Sequence, residues 1–210
     1  MKKMFCILLT LIIVSTGICA VRINDSIKEA DRIQKGIADS IIRFHVRANS
    51  DSNVDQSIKL DVKEAVVDYI RPKLENSSTL EESRAILESE TDAIREVAIN
   101  TLRDNGSDLD VSVYFENCYF PVKSYGDVTF PAGEYEAFRI DIGEAEGKNW
   151  WCVLYPPLCF VDTTFGVVPE ESKEKLAGVL TEKEYSQITA KDCKIRCKYL
   201  TFLNKYLKDW

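Results

Sequence analysis

The groups with chemical potential in this chain are one histidine, His45, seven cysteines and a surplus of carboxylates. A thiol beside an imidazole is a nucleophile with its base. Cys152 or Cys159 with His45 is the pairing that a secreted cysteine-dependent hydrolase or thiol transferase would need. His45, however, lies between Phe44 and Val46, out of phase with both, and neither a nucleophile elbow nor a zinc-ligand spacing accompanies it. Its expected role is structural or at the surface. Asp51, Asp55, Asp61, Asp141 and Asp162 offer acids enough for a glycosidase-like pair. In a chain with 34 Asp and Glu such abundance carries no information, and none of these acids lies in a hydrolase motif. No catalytic residue, metal site or cofactor is predicted.

Cysteine spacing favours structure over reactivity. Cys152 and Cys159 flank Val153-Leu154-Tyr155-Pro156-Pro157-Leu158, whose paired prolines turn the chain, so the two are a candidate disulfide. Closing a loop of this size contributes about 2.5 kcal/mol in the chain-entropy model. Cys193 and Cys197 share a face of a predicted helix but aim poorly at one another. Neither spacing has the two-residue gap of a zinc knuckle. Disulfide or reduced, buried cysteines are expected ahead of metal ligation. Beyond Cys6 and Cys19 five cysteines remain, an odd number, so at least one is free, shared with a partner or buried as a small hydrophobe.

These groups must be positioned by a run of recognisable elements. Ser40 to Val46 reads as a first strand. The cluster Ala48 to Asn53 supplies turn and capping residues before a helix from Asp55 to Arg71, with Pro72 marking its end or a kink. Thr79-Leu80-Glu81-Glu82 is a capping box opening a second helix whose stripe runs through Leu80, Leu87, Ile94, Ala98 and Leu102 to a stop at Asn105-Gly106. From Asp110 the period becomes two, with Val111, Val113 and Phe115 alternating against polar neighbours. Further strands are predicted at Tyr119 to Tyr125, Tyr135 to Ile142 and Trp150 to Tyr155. Pro169-Glu170-Glu171 and Thr181 to Glu184 then open C-terminal helices. Strands grouped in the middle with helices before and after predict a single α+β domain on a mainly antiparallel sheet of about four or five strands.

The composition excludes several classes. With 45% hydrophobic residues, nine Gly and six Pro, the chain is neither disordered nor fibrous. A net charge of -7 is the wrong sign for nucleic acid, which is not an expected partner. Met1-Lys2-Lys3, the apolar run to Val14 and the small residues to Ala20 have signal-peptide grammar, while Met4 to Val21 is at the lower limit for an uncleaved anchor. The expected organisation is a signal peptide or membrane anchor over 1–20, a helix or tether over 21–39 and the α+β domain over 40–210. Lys191 to Trp210 carries six Lys or Arg against two Asp, a basic amphipathic helix that is a candidate membrane-surface contact.

The densest unusual segment is Asn149-Trp150-Trp151-Cys152-Val153-Leu154-Tyr155-Pro156-Pro157-Leu158-Cys159-Phe160. It joins three other strings: Arg43-Phe44-His45-Val46-Arg47-Ala48-Asn49-Ser50-Asp51-Ser52, with Asp55-Gln56 and Lys59-Leu60 after it; Phe120-Pro121-Val122-Lys123-Ser124-Tyr125-Gly126; and Phe130-Pro131-Ala132-Gly133-Glu134-Tyr135. In this order they resemble the stage II sporulation protein R family of endospore-forming bacteria. The loop Gly143 to Gly147 is less glycine-rich than the family's usual one. The resemblance implies a messenger and not an enzyme. Such proteins are made in the forespore and exported into the space between the two septal membranes. There they activate a membrane-embedded aspartic protease of the mother cell, which cuts the precursor of an early mother-cell sigma factor. The protease's extracytoplasmic side is the expected partner. Trp150, Trp151 and the Pro156-Pro157 turn, with Asn49 and Asp51 beside them, are the expected contact residues. A secreted cysteine-dependent hydrolase and a cell-wall-binding module are the competing expectations.

Overall fold

Polar and apolar residues alternate through β5 (Gly133–Ile142), burying Phe138, Ile140 and Ile142 on one face, as the period of two predicts. This strand is internal to the sheet of the computed structural model, which describes residues 2–75, 77–159 and 167–190, with side chains from 15 onward. On one side β5 pairs antiparallel with β2 (Val111–Phe120), and on the other it pairs parallel with β1 (Ile42–Arg47). Antiparallel pairing of β1 with β6 (Asn149–Tyr155) completes the order β2-β5-β1-β6. The protein is thus α+β, with one parallel pairing inside an otherwise antiparallel sheet.

Pro121 follows β2 directly and has no N–H to continue a ladder. The predicted strand Tyr119 to Tyr125 is therefore divided between the end of β2 and β3 (Lys123–Tyr125). The latter forms a separate hairpin with β4 (Val128–Phe130), a strand too short for its alternation to register in the sequence.

The predicted tether is the later part of one 38-residue helix, α1 (Lys2–Asp39). Its end joins the domain: Ile37 is buried, and Gln34 Nε2 donates to the Glu134 carbonyl at 3.2 Å. Among the described residues no helix is long and apolar enough to cross a membrane. The side chains of 2–14 lie outside that description.

Ser52 accepts from the Asp55 N–H and starts α2 (Asn53–Leu74), which passes through Pro72 and ends at Leu74, just beyond it. The stripe from Leu80 to Leu102 belongs to two helices, α3 (Leu80–Ser89) and α4 (Thr91–Asp104). They divide at Glu90, whose carboxylate accepts from Tyr69 Oη at 2.7 Å and from Lys73 Nζ at 2.9 Å, tying the bend to α2. Ile58, Val62 and Val66 of α2 and Ile94, Ala98 and Leu102 of α4 are buried in one core with Phe44, Val46, Phe138 and Ile140. After the sheet come α5 (Glu170–Val179) and α6 (Glu182–Thr189), the second opened by the predicted capping box at Thr181 and Glu184. Lys191 to Trp210, with Cys193, Cys197 and the predicted basic helix, lies outside the described residues, as do Phe160 and Asp162.

Candidate functional site

The sheet's second face begins with a buried cation. Arg43 is fully buried, and its guanidinium carbon lies 4.4 Å from the ring centre of Phe120 and 5.2 Å from those of Phe130 and Tyr135. Tyr125, from the hairpin that covers this end, accepts from Nη2 at 3.3 Å. Nε and Nη1 have no hydrogen-bond partner. Burial pulls this guanidinium below its ordinary value, with the ring faces holding it in place of a carboxylate.

Two residues along β1 the same face opens into a half-exposed polar cluster. His45 is 2% exposed and stacks flat on Trp151 at 5.1 Å, while the Phe120 ring meets it edge-on. Its Nε2 points across the sheet to β2, 3.8 Å from Cys118 Sγ and 3.9 Å from Glu116 Oε1. The intervening strand makes this reach possible. Ala137, opposite both Arg43 and Glu116, puts only a methyl group between β1 and β2. Arg139 Nε donates to Asp141 at 2.7 Å, Nη1 donates to Glu116, and Tyr114 donates to Asp141 at 2.8 Å. Lys123 Nζ lies 5.5 Å from the Trp151 ring centre.

Electrostatics decide what the neighbouring thiol and imidazole can do. Burial, reinforced by the Arg139 charge, pushes the His45 imidazole down to about 4. Burial, reinforced by the Glu116 carboxylate, pushes the Cys118 thiol up to about 12. An activated cysteine nucleophile requires the reverse, a stabilised thiolate beside an imidazolium. Although burial alone would lower it, the hydrogen bonds it donates to Asp141 and Glu116 hold the Arg139 guanidinium above its ordinary value. That cation is fixed by two carboxylates, and its lowering pull on the Cys118 thiol is outweighed by burial and by Glu116.

The cysteines anticipated beside His45 are elsewhere. Cys152 and Cys159 are joined as a disulfide with Cα atoms 5.5 Å apart, within the usual range. Cys152 pairs opposite Phe44, on the other face of the sheet from His45. Cys118, which sequence reasoning left unassigned, is the free thiol nearest the imidazole. Glu116 and Cys118 stand two apart on one strand, a visible signal. Their meeting with His45 depends on a register no local pattern contains.

Nor do the six expected contact residues form one surface. Trp150 turns to the helix side, 5.9 Å from Phe44 and under Lys63, whereas Trp151 turns to the His45 side. Pro156 is buried and Pro157 half-buried, beyond a cis Tyr155–Pro156 bond. They follow β6 at its far end, roughly 20 Å from Trp150 at the usual strand rise. Asn49 and Asp51 do lie at the Trp150 end, but they are occupied internally. Asn49 Oδ1 accepts from Glu144 N at 3.0 Å and its Nδ2 donates to Asp55, while Asp51 Oδ1 accepts from Lys148 N at 2.7 Å.

A family model described as stage II sporulation protein R matches residues 38–165. The chain belongs to that family. The "Stage II sporulation protein R" of Bacillus subtilis (strain 168) is similar, 40% identical over 156 residues that cover 74% of this chain and 70% of the relative. No solved structure matches.

For this member of the stage II sporulation protein R family, the structure gives the motif Ala48 to Ser52 a physical task. Ser50 Oγ donates to Asp55 at 2.5 Å, and Gln56 Nε2 donates to the Ser50 carbonyl at 3.0 Å. Buried Lys59 donates to Gln56 and, at 3.1 Å, to the Lys148 carbonyl. Together these bonds clamp the β5–β6 loop onto the start of α2 and so aim β6, with both tryptophans, into the sheet. Loop residues Gly143 and Ala145 have φ of 57° and 52°. The second is an uncommon conformation for a residue with a Cβ.

Proposed function

We propose that this sporulation protein is an exported messenger. It is made in the forespore and acts between the two septal membranes by binding the extracytoplasmic part of a membrane-embedded aspartic protease. The protease then cuts the precursor of an early mother-cell sigma factor. Membership of the stage II sporulation protein R family carries this reading. A ligand switches a protease only through tighter binding to its active state. Moving an equilibrium from mostly off to mostly on takes about 5.5 kcal/mol of differential affinity. The half-exposed face around Trp151, Lys123 and Arg139 suits such a contact, because Trp151 is held rigid by His45 and Phe120 and loses little entropy on docking.

The test is co-expression of chain, protease and precursor in a non-sporulating host, following precursor length. Processing is expected with the wild-type chain and reduced at least about tenfold, the equivalent of 1.4 kcal/mol, by Lys123→Glu or Trp151→Ala. Normal processing with both variants, each exported and folded, would remove this face from the proposal. Absence of processing with the exported, folded wild-type chain would remove the messenger role itself.

The Cys118–His45 contact favours a second reading, a secreted cysteine-dependent hydrolase. Cys118→Ala separates the two: a hydrolase loses its function outright, whereas a messenger continues to trigger processing. The high thiol and low imidazole values described above weigh against the hydrolase.

A further inference from the structure

We infer that His45, Glu116 and Cys118 form a binding site for a zinc-class divalent cation. One donor atom from each lies within 4.8 Å of the others. In a tetrahedral zinc site, bond lengths near 2.0 Å to nitrogen and 2.3 Å to sulfur place N and S about 3.6 Å apart and N and O about 3.3 Å apart. The observed separations of 3.8 Å and 3.9 Å from Nε2 to Cys118 Sγ and Glu116 Oε1 would have to close by about 0.2 Å and about 0.6 Å, which small side-chain rotations can supply.

The donor set is borderline-soft, one thiol, one imidazole and one carboxylate, which suits zinc and disfavours calcium or magnesium. Charge also balances. With the thiolate formed, Cys118, Glu116 and Asp141 supply three negative charges against a divalent ion and Arg139. Binding releases the Cys118 proton to solvent. Arg139 stays on Asp141 and on Glu116, donating to the same Oε1 that faces His45, and so orients the carboxylate ligand.

The histidine is placed as a ligand should be. It is nine-tenths buried or more, locked between Trp151 and Phe120, and aims Nε2 at the other two donors. Its Nδ1 and the nearby Asn149 Oδ1 are both buried without a well-formed hydrogen bond. A bond from Nδ1–H to that oxygen would fix the tautomer that leaves Nε2 free for a metal. Glu116 has 28% of its side chain exposed, so solvent reaches the edge of the cluster. The site does not depend on which partner the protein binds.

Cobalt titration of the full chain, purified without oxidation of Cys118, tests this. Cobalt reports a thiolate ligand by a charge-transfer band in the near ultraviolet. The wild-type chain is expected to take up one more equivalent than Cys118→Ser and to show a band that the variant lacks. Zinc should displace the bound cobalt. His45→Gln should weaken uptake at this site by at least about tenfold, as loss of even an outer-layer partner does. Cys118 is half-exposed, so its near-isosteric serine variant is expected to keep the wild-type far-ultraviolet circular dichroism. Equal stoichiometry and identical spectra for the wild type and Cys118→Ser would overturn the site. So would a difference band that persists at full strength in His45→Gln.

Discussion

Gly147→Ala is expected to lower the Tm by about 6–12 °C, because a methyl group at this position has nowhere to go. A Cβ built on Gly147 would stand 2.3 Å from the Ser50 carbonyl oxygen and 2.6 Å from its carbon, both backbone atoms, and 3.0 Å from Ala48 Cβ. Side chains can swing away, but this turn is held by Asn49, Asp51, Gln56 and Lys59, and Gly147 N itself donates to the Ala48 carbonyl at 2.9 Å. Overpacking and the loss of these bonds together amount to about 3 kcal/mol. Gly106→Ala is the control. Gly106 has φ of 72° with nothing within 4 Å of its Cβ position, so its cost is the left-handed backbone alone, about 1 kcal/mol. Thermal unfolding followed by circular dichroism distinguishes the two. A Gly147→Ala chain no less stable than Gly106→Ala would mean that the loop is not clamped.

Arg43→Ala is expected to destabilise the fold by about 3–5 kcal/mol, whereas Arg43→Met should remain within about 1.5 kcal/mol of the wild type. Alanine empties the space between Phe120, Phe130 and Tyr135. Methionine refills most of it and removes two buried donors, Nε and Nη1, that have no partner. Opposing this is the loss of cation–π attraction, about 2 kcal/mol for a desolvated site. Burying an incompletely paired charge costs a comparable amount, and exchange of such a group for an apolar one of similar volume is often neutral. Urea denaturation of the three chains measures the differences. If methionine proves as damaging as alanine, attraction between the guanidinium and the rings outweighs its desolvation, and volume is the lesser part of what Arg43 contributes.

Periodicity made much of this fold legible. Phe138, Ile140 and Ile142 announced β5, and Thr181 with Glu184 announced the start of α6, because each signal lies within one element. The division of α3 from α4 escaped the same reasoning. An unbroken stripe from Leu80 to Leu102 cannot reveal that Glu90 is held by Tyr69 and Lys73 of another helix. The candidate site escaped for a related reason. Alternation shows that His45 and Phe44 face opposite ways, but not that β5 lies between β1 and β2, or that Ala137 leaves the space across which Nε2 meets Glu116 and Cys118. The string from Ala48 to Ser52 was conspicuous in the sequence. Its polar groups turned out to hold a loop, and Trp151, stacked on His45, faces a half-exposed surface on the opposite side of the sheet from Trp150.

Action by contact with a protease, with no bond made or broken by this chain itself, is tested most directly in a purified system. The protease is placed in liposomes with its precursor substrate on the cytoplasmic side, the folded chain is added on the other side, and precursor cleavage is followed on a gel. Cleavage is expected to begin on addition, to rise with the amount of chain bound and to level off when the protease is saturated. Unchanged cleavage at saturating amounts of folded chain would contradict that role, and so would full activation by a small fraction of one chain per protease, which is the behaviour of an enzyme.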